Sequence, residues 1–413
     1  MSSDFRPVRL EELLQFANGR SSPDRDEAAM FPVFGSNGRI GMAAKSNSPS
    51  RTVVIGRVGT YCGSVHFSKQ ACWVTDNAIR ATAKDDNDPE FLYYLLKHLN
   101  LNNWRSGSGQ PLLNQGTLNA ISTLVPAPPI QRRISSLIGA IDDRITLLRE
   151  TNATLEAIAQ ALFKSWFVEF DPVRSNMASL QHGYFDAAVA ALFPDDTETT
   201  EHGEIPESWH FAPLREMVHG VYDGPHATPP EAHEGGVFLG IKNLTGTSLD
   251  LSDVRHISEA DWSQWTKRVT PRHGDIVFSY EATLGFFAMV PPGLRCCLGR
   301  RLALVRPLAD SGTPHFWFHQ FVAAPFQRLL DKHTIQGATV NRIALKSFPD
   351  LPVLVPPLEL REAFERVAAP IWLRIHENSA QAMTLVRLRD TLLPRLISGQ
   401  LRLPLAETEV EVA

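Results

Sequence analysis

Apolar residues recur in alternating steps of four and three through residues 128–170. The spacing is kept at Ile134, Ile138, Ile141, Ile145, Leu148, Asn152, Leu155, Ala159, Leu162 and Trp166. Spacing this regular is typical of a coiled-coil seam, although a long helix lying on a globular core is the alternative. Pro128-Pro129 suits a helix start, because the first turn needs no amide donor there. The pattern therefore predicts a long helix that pairs with another helix.

A second, poorer seam appears when the same spacing is shifted by 230 residues. It runs through Phe364, Ala368, Ile371, Ile375, Asn378, Ala382, Leu385, Arg389, Leu392 and Leu396. If the two helices pair antiparallel with their centres aligned, Asn152 lies opposite Asn378. A polar pair buried in an apolar seam costs stability but fixes the register of the helices.

The segments that precede the two helices repeat each other. Residues 107–134, GSGQPLLNQGTLNAISTLVPAPPIQRRI, align without a gap with residues 337–364, GATVNRIALKSFPDLPVLVPPLELREAF. Short predicted strands recur further upstream at an offset near 223, with TVVIG at 52–56 matching DIVFSY at 275–280. A single helix is predicted over 315–330, HFWFHQFVAAPFQRLL, from its apolar spacing. The repeat indicates internal pseudo-two-fold symmetry.

These patterns predict an α+β fold. Two globular mixed α/β modules are separated by two long helices that form an antiparallel coiled coil. The predicted boundaries are a first module at 1–127, a central helix at 128–170, a linker at 171–204, a second module at 205–356, a distal helix at 357–403 and a tail at 404–413. The acidic end of the linker is expected to be mobile.

Net charge and cysteine content change this picture little. The chain has a formal net charge of −5, but the first module carries 13 basic against 11 acidic residues and the second 14 against 14. Such modules permit DNA binding without arguing for it. The start of the chain lacks a signal-peptide pattern, no long apolar run is present, and the four cysteines lack CxxC spacing. We expect reduced thiols and a cytoplasmic protein.

Motifs for catalysis are missing from the sequence. There is no GxxxxGK[ST] phosphate loop, no GxGxxG, no GxSxG nucleophile elbow and no Asn/Asp-Pro-Pro-aromatic loop of an adenine methyltransferase. The histidines are scattered without the i, i+4 spacing of metal ligands. The sequence therefore predicts no catalytic residue and no metal site.

Several stretches carry a resemblance to a known family. FPVFGSNGRIG (31–41), VVIGRVGTYCGSV (53–65) and WVTDNAI (73–79) are similar to a target recognition domain, and ITLLRETNATLEAIAQALFKSWFVEFDPV (145–173) to a central conserved helix. IPESWHFAPL (205–214), DGPHATPP (223–230), GDIVFS (274–279) and GATVNRIALKSF (337–348) are similar to a second recognition domain, and LRDTLLPRLISGQLRL (388–403) to a distal conserved helix. Over essentially its whole length, the chain resembles the specificity subunit of type I restriction-modification systems.

Two departures from the family pattern stand out. Leu360-Arg361 replaces the usual glutamate-glutamine step, and only the second module has a DGxH-like segment. The two modules therefore belong to different recognition classes and are expected to read different half-sites.

The resemblance implies a non-enzymatic subunit that binds no cofactor itself. Each module would grip one half of a bipartite, asymmetric site on double-stranded DNA. The helices would set the spacer and dock two methyltransferase subunits, which carry S-adenosylmethionine and methylate adenine. Nuclease/translocase subunits would join them and cleave unmethylated DNA with ATP and Mg²⁺.

Candidate DNA contacts follow from side-chain chemistry in loops. Arginine pairs with guanine, Asn or Gln with adenine, and Lys, Arg, Ser or Thr with phosphate. In the first module the candidates are Asn37, Arg39, Lys45, Arg57, Arg105, Gln110 and Asn114. In the second they are His226, Lys242, Asn243, Tyr280, Arg300, Arg301, Gln336 and Asn341. A surface or turn role is the alternative for each.

Two other functions remain open on the sequence. A coiled-coil adaptor with two protein-binding modules would suit the repeat equally, and the near-neutral modules slightly favour it. Salt-dependent DNA binding separates it from a DNA reader. An enzyme acting alone, such as a fused restriction-modification protein, is disfavoured by the missing motifs.

Overall fold

The computed structural model describes residues 5–106, 111–178, 187–308, 312–337 and 340–403. The chain divides into two compact units: unit 1 comprises residues 1–147 and 382–413, and unit 2 comprises residues 148–381. Each unit contains one globular module and about half of each long helix. The division differs from the predicted boundaries at the module ends, because each half-helix buries its apolar side chains against the module of its own unit.

The first segment of unit 1, residues 1–147, begins with short strands and ends in the first long helix. Its elements are β1 (Phe5–Arg9), α1 (Leu10–Leu13), β2 (Leu14–Asn18), β3 (Phe31–Gly35), β4 (Gly38–Ala43), β5 (Thr52–Gly56), β6 (Val65–Ser68), β7 (Trp73–Val74), β8 (Ala78–Ala83), α2 (Pro89–His98), α3 (Gln115–Ala120), β9 (Ser122–Pro126) and the start of α4 (Pro128–Phe167). An antiparallel sheet has the order β2-β8-β5-β6, a second has the order β4-β3-β7 with β3 and β7 parallel, and β1 pairs with β9. Val53 and Ile55 of β5 are fully buried against α2 in the core of this unit.

Unit 2 contains the remainder of α4 and a longer series of elements. These are α5 (Asp171–Met177), α6 (Ala187–Ala190), β10 (Thr197–Thr200), β11 (Gly203–Pro206), β12 (His210–Pro213), β13 (Val218–Asp223), β14 (Gly236–Leu239), β15 (Leu244–Thr245), β16 (Ser248–Leu249), β17 (Arg255–Ile257), α7 (Glu259–Trp265), β18 (Ile276–Ser279), β19 (Phe287–Met289), β20 (Cys296–Leu298), β21 (Leu302–Pro307), α8 (Pro314–Val322), α9 (Ala324–Lys332), β22 (Thr334–Ile335), β23 (Arg342–Ile343), β24 (Pro352–Val355) and α10 (Leu358–Ile397).

The sheets of unit 2 repeat those of unit 1. The order β13-β21-β18-β19 corresponds to β2-β8-β5-β6, and β17-β14-β20 corresponds to β4-β3-β7. The parallel pair recurs as β14 with β20, and the strand before the long helix again pairs with the first strand of its module, β24 with β12. The duplication predicted from the sequence is therefore present in the strand pairing of both units.

The structure corrects two details of the sequence prediction. The helix predicted over 315–330 is broken into α8 and α9 at Ala323, whose backbone is extended, because Pro325 favours the first turn of a new helix. The segment predicted as a linker, 171–204, contains α5, α6 and β10. It contributes Val173 and Phe193 to the unit 2 core, so its described part is packed secondary structure, which the acidic composition concealed.

The two long helices are continuous, and they run antiparallel within each unit. In unit 2, Phe163 and Trp166 of α4 pack against Phe364 near the start of α10. In unit 1, Ile134 lies in one core cluster with Leu396, and Asp142 accepts a 2.8 Å hydrogen bond from Arg389. Among the described residues, no helix combines the length and apolar content that crossing a bilayer requires.

Most of the predicted seam residues are removed from solvent. Those that are buried are Ile134, Ile138, Ile141, Ile145, Leu148, Ile375 and Asn378. Those that are partly buried are Asn152, Leu155, Leu162, Ile371, Leu385 and Leu392. Phe163 and Phe167 lie beside the seam and are also buried, but the sequence pattern missed them. They pack against the module of unit 2, so the buried face of α4 is wider there than the seam alone.

The predicted contact between Asn152 and Asn378 is present in unit 2. The Nδ2 group of Asn378 donates to Oδ1 of Asn152 at 2.8 Å. The Nδ2 group of Asn152 donates in turn to the carbonyl of Ile375 at 3.1 Å and to Oγ of Ser379 at 3.0 Å. Asn378 is only 2% exposed, so this pair is a satisfied polar contact inside the helix interface.

Replacing one asparagine of this pair is expected to cost more stability than replacing both. Asn378→Leu leaves Oδ1 of Asn152 without its donor, so the free energy of unfolding should fall by about 1–3 kcal/mol. Asn152→Leu with Asn378→Leu should restore or raise it, because an apolar pair needs no hydrogen bonds. Urea denaturation of both single variants and the double variant measures this. Additive losses in the double variant would contradict the pairing.

Candidate nucleic-acid interface

The loops that follow β5 and precede β8 meet at one edge of unit 1. β5 and β8 pair up to Gly56 and Ala78. One residue beyond, the amide of Arg57 donates to the carbonyl of Asn77 at 2.9 Å, and the carbonyl of Arg57 accepts from the amide of Leu113 at 2.9 Å. Three loops that are distant in sequence are therefore tied together at Arg57.

Unit 2 forms the same connection from different residues. β18 and β21 pair up to Ser279 and Leu302. One residue beyond, the amide of Tyr280 donates to the carbonyl of Arg301 at 3.1 Å, and the carbonyl of Tyr280 accepts from the amide of Ile343 at 2.8 Å. We call the two regions the loop edges of unit 1 and unit 2.

The two loop edges also share their next hydrogen bond and a backbone conformation. The amide of Gly59 donates to the carbonyl of Pro111 at 3.2 Å, as that of Ala282 does to Asn341 at 3.1 Å. Gly59 has φ +75° and Ala282 has φ +70°. A left-handed backbone is strained for alanine. Because Ala282 nevertheless has the same conformation as Gly59, the surrounding loops must impose this conformation.

The strand turns at the two loop edges correspond as well. The amide of Thr75 donates to the carbonyl of Phe34 at 2.9 Å, as that of Gly299 does to Leu239 at 2.8 Å. Three residues after these acceptors lie Asn37 in unit 1 and Lys242 in unit 2, both exposed. Two candidate DNA contacts chosen from the sequence therefore occupy matched turn positions.

The loop edge of unit 1 surrounds a cleft of about 460 Å³. Its lining residues are Ser22, Arg25, Gly35, Ser36, Asn37, Ile40, Val58, Gly59, Thr60, Tyr61, Thr75, Asp76 and Asn77. The Tyr61 side chain is 57% exposed at the wall. The hydroxyl of Thr75 is buried and has no hydrogen-bond partner among the described residues. Neither Tyr61 nor Asn77 stood out in the sequence, because exposure and proximity to the cleft are not visible there.

Hydrogen bonds within the loops hold this cleft in shape. Ser36 Oγ donates to the carbonyl of Asn77, and Ser64 Oγ donates to the carbonyl of Ser36. His66 Nε2 lies 3.3 Å from the same Ser36 carbonyl. Burial lowers the pKa of His66, and the contact with Ser36 opposes that shift. The imidazole is therefore favoured in its neutral form at this edge.

Four basic candidates of unit 1 have no acidic partner among the described residues. Arg39, Lys45, Arg57 and Arg105 make no ion pair with any described residue. Arg57 Nη1 reaches the carbonyl of Asp76 at 3.5 Å, and Arg39 Nη2 lies 3.2 Å from Met42 Sδ. Cations without an acidic partner can contact phosphate or base edges.

Two other candidates of unit 1 have different outcomes. Asn114 caps α3, because its Oδ1 accepts from the amide of Thr117 at 2.8 Å. The Asn114 side chain therefore has a structural role as the N-cap of α3. Gln110 lies outside the described residues.

An ionic cluster lies at the loop edge of unit 2. Asp223 accepts from Arg268, and His226 Nε2 lies 3.1 Å from the second oxygen of Asp223. Arg301 Nε lies 3.9 Å from Glu281. These acidic residues neutralise part of the basic charge at this edge, whereas Arg57 of unit 1 makes no ion pair with a described residue.

Tyr280 is enclosed within this cluster. The residue is 6% exposed, and its hydroxyl has no hydrogen-bond partner among the described residues. Burial raises the pKa of Tyr280, and the charges of Asp223 and Glu281 raise it further. The phenol therefore remains protonated and keeps an unused donor.

The remaining candidates of unit 2 divide into exposed and internal side chains. Lys242 forms an exposed 2.6 Å ion pair with Asp253. Arg300, Gln336 and Asn341 are exposed on the loops. Their contact with DNA stays a prediction.

Asn243 differs from these, because both ends of its amide are occupied. Its Oδ1 accepts from the amide of Gly240 at 2.9 Å, and its Nδ2 donates to the carbonyls of Asp250 and Asp253. Asn243 is also buried. This geometry favours a structural role for Asn243 over a DNA contact.

Metal-binding clusters and exposed thiols are both missing from the described part of the chain. It contains no group of three or more His, Cys, Asp or Glu residues that could hold a metal ion. All four cysteines are buried, and burial raises the pKa of Cys296 and Cys297 to about 12. These thiols stay protonated, so they are poor nucleophiles.

The sequence of this chain is similar to those of known proteins. A family model described as the type I restriction modification DNA specificity domain matches residues 2–157. The MjaIX type I restriction enzyme specificity subunit of Methanocaldococcus jannaschii is 25% identical over 353 residues, covering 82% of this chain and 75% of that protein. The HindI specificity subunit of Haemophilus influenzae is 24% identical over 360 residues, covering 76% and 77%.

A solved structure shares the fold. The crystal structure of a type I restriction-modification S subunit from M. genitalium superposes with a TM-score of 0.63 at 14% identity, covering 95% of this chain and 96% of that one.

Proposed function

Because the chain belongs to the specificity subunits of type I restriction-modification systems, we propose that it reads a split DNA sequence with its two loop edges. One observation carries this proposal. The same backbone hydrogen bonds are built twice, at Arg57 in unit 1 and at Tyr280 in unit 2, and they present different side chains. A repeated frame with divergent side chains suits a bipartite, asymmetric site on double-stranded DNA.

Charge distribution supports DNA as the ligand. The first module holds 13 basic against 11 acidic residues, although the whole chain is at −5, and its Arg39, Lys45, Arg57 and Arg105 make no ion pair with a described residue. Phosphate contacts depend on such local charge. The alternative of an adaptor for proteins gains no support from the relatives, which are themselves specificity subunits.

We further propose that catalysis belongs to partner subunits. Methyltransferase subunits would bring S-adenosylmethionine, and nuclease subunits would bring ATP and Mg²⁺. Support comes from exposed apolar side chains on the long helices, which a partner would cover. These are Leu137, Leu147 and Ile158 on α4, and Val367, Leu373 and Leu388 on α10. Because the module and its helix are duplicated, two methyltransferase subunits are expected.

Mapping methylated adenines tests this function. The chain is expressed with its methyltransferase subunit in a host that lacks adenine methylation. We expect methylation at one split, asymmetric motif, and none when the chain is omitted. For the purified complex, the logarithm of DNA affinity should fall linearly with the logarithm of salt concentration. A motif that persists without the chain would contradict the proposal.

A further inference from the structure

The residues one step beyond the paired strands form a matched pair in each unit. In unit 1 they are Arg57 and Asn77, and in unit 2 they are Tyr280 and Arg301. We propose that these two pairs are specificity-determining residues, each pair reading bases of one half-site. This inference rests on the proposed function, because it assumes that the loop edges face DNA.

The geometry of antiparallel strands places the members of each pair together. Gly56 is paired with Ala78, so Arg57 and Asn77 continue the same ladder by one step. Side chains directly opposite each other on antiparallel strands lie on one face, with Cβ atoms about 5 Å apart. Two side chains this close together can contact the edges of neighbouring base pairs. The 3.1 Å bond between Tyr280 and Arg301 puts the second pair at the equivalent ladder step, with the backbone of Arg301 in the left-handed region at φ +74°.

The side chains of the pairs have base-reading chemistry, and they differ between the units. Arginine pairs with the O6 and N7 atoms of guanine, and asparagine pairs with the N6 and N7 atoms of adenine. The tyrosine hydroxyl donates to or accepts from a base edge. Different donors at matched positions explain how one duplicated scaffold distinguishes two half-sites.

Unused hydrogen-bonding capacity points to a ligand at both edges. The hydroxyl of Tyr280, Nε of Arg301 and, two residues before Asn77, the hydroxyl of Thr75 are buried without a hydrogen-bond partner among the described residues. A buried polar group without a partner costs free energy, which a base edge would recover on binding.

DNA can contact the Tyr280 hydroxyl only if the side chains that cover this hydroxyl move. The atom is shielded from solvent in the free protein. The ion pair of Asp223 with Arg268 and the imidazole of His226 form the adjacent ionic cluster. Rearrangement of side chains at an interface is common on binding, and DNA phosphates would compete for Arg268.

The test uses the full chain in complex with its methyltransferase subunits. The variants are Arg57→Ala and Asn77→Ala in unit 1, and Tyr280→Phe and Arg301→Ala in unit 2. Adenine methylation is mapped in the host, and each purified complex is titrated with DNA carrying the correct motif or a single base change. We expect the unit 1 variants to relax one half-site and the unit 2 variants the other. Discrimination at the affected base should fall roughly tenfold or more.

Tyr280→Phe separates recognition from folding. Because the hydroxyl has no protein partner, its removal should leave the thermal midpoint unchanged or raise it, while one half-site is relaxed. Tyr222→Phe is the matched control, because the Tyr222 hydroxyl is already bonded to His219 at 2.8 Å. It should leave the motif intact.

The outcomes distinguish the inference from the proposed function. If the unchanged complex methylates a split motif and Tyr280→Phe and Asn77→Ala both keep that motif and its discrimination, the inference is overturned and the function stands. If the unchanged complex methylates no split motif, the proposed function itself fails.

Discussion

Insertion of seven residues into α4 after Leu147 and seven into α10 after Gln381 is expected to lengthen the gap in the recognised DNA sequence. Seven helical residues add about 10.5 Å, which corresponds to about three base pairs at roughly 3.4 Å each. Both insertions lie at the division between unit 1 and unit 2, so the core of each unit is kept. A whole heptad also preserves the apolar seam.

Methylation mapping of this variant should show both half-sites unchanged and only the spacer altered. A matched control carries the insertion in α4 alone. There Asn152 still lies beside Asn378, but the Asp142–Arg389 pair in unit 1 moves out of register, so activity should be lost. An unchanged spacer in the double insertion would refute the idea that the helices measure the distance between half-sites.

Acidification is expected to destabilise unit 2 through its buried histidines. His319 of α8 is 1% exposed, and its Nε2 accepts from Trp372 Nε1 at 2.9 Å. Burial lowers the pKa of His319 to about 3, and the neighbouring His315 adds to this shift. Burial also lowers the pKa of His376 to about 4, with His273 and His315 contributing. Glu365 lies 2.5 Å from His315 in the same cluster.

The sign of the effect follows from proton binding. The unfolded chain binds protons at these histidines near pH 6.5, and the folded chain resists until about pH 3 to 4. Stability is therefore complete above about pH 6.5 and falls as the pH decreases towards 3. Between about pH 6.5 and pH 5, His319 alone should remove about 2 kcal/mol from the free energy of unfolding.

Urea denaturation followed by tryptophan fluorescence at about pH 7 and about pH 5 measures this loss. His319→Gln keeps an acceptor for Trp372 but does not titrate, so the difference between the two pH values should shrink by roughly half. His98→Gln changes an exposed histidine of α2 and should leave the difference unaltered. A full pH difference in His319→Gln would show that another group is responsible.

Much of the helical framework could be predicted from residue spacing. The four-three spacing through Ile134 and Ile138 identified the buried face of α4, and a shift of 230 located the partner and the Asn152–Asn378 contact. The aromatic side chains Phe163 and Phe167 were missed. Both are buried against the module of unit 2 as well as against the partner helix. The four-three spacing predicts contacts between helices only, so it does not identify residues that a module buries.

The candidate site was predicted less completely. Side-chain chemistry and turn composition selected Arg57, Tyr280 and Arg301, but they could not reveal that Tyr280 corresponds to Arg57. Asn77 was missed, because an asparagine in a turn has the same sequence signature whether it faces a cleft or solvent. Asn243 was selected for its chemistry, although its amide is occupied by loop carbonyls.

The sequence by itself determined the paired helices, because the spacing of apolar residues shows which face of a helix is buried. It also determined the duplicated organisation, because a repeat can be recognised by aligning the sequence with itself. The tertiary structure alone decided the composition of the loop edges. Arg57 meets Asn77 and Leu113 through hydrogen bonds that span 20 and 56 positions of the chain. Such contacts depend on how the strands pair, and no local pattern encodes them.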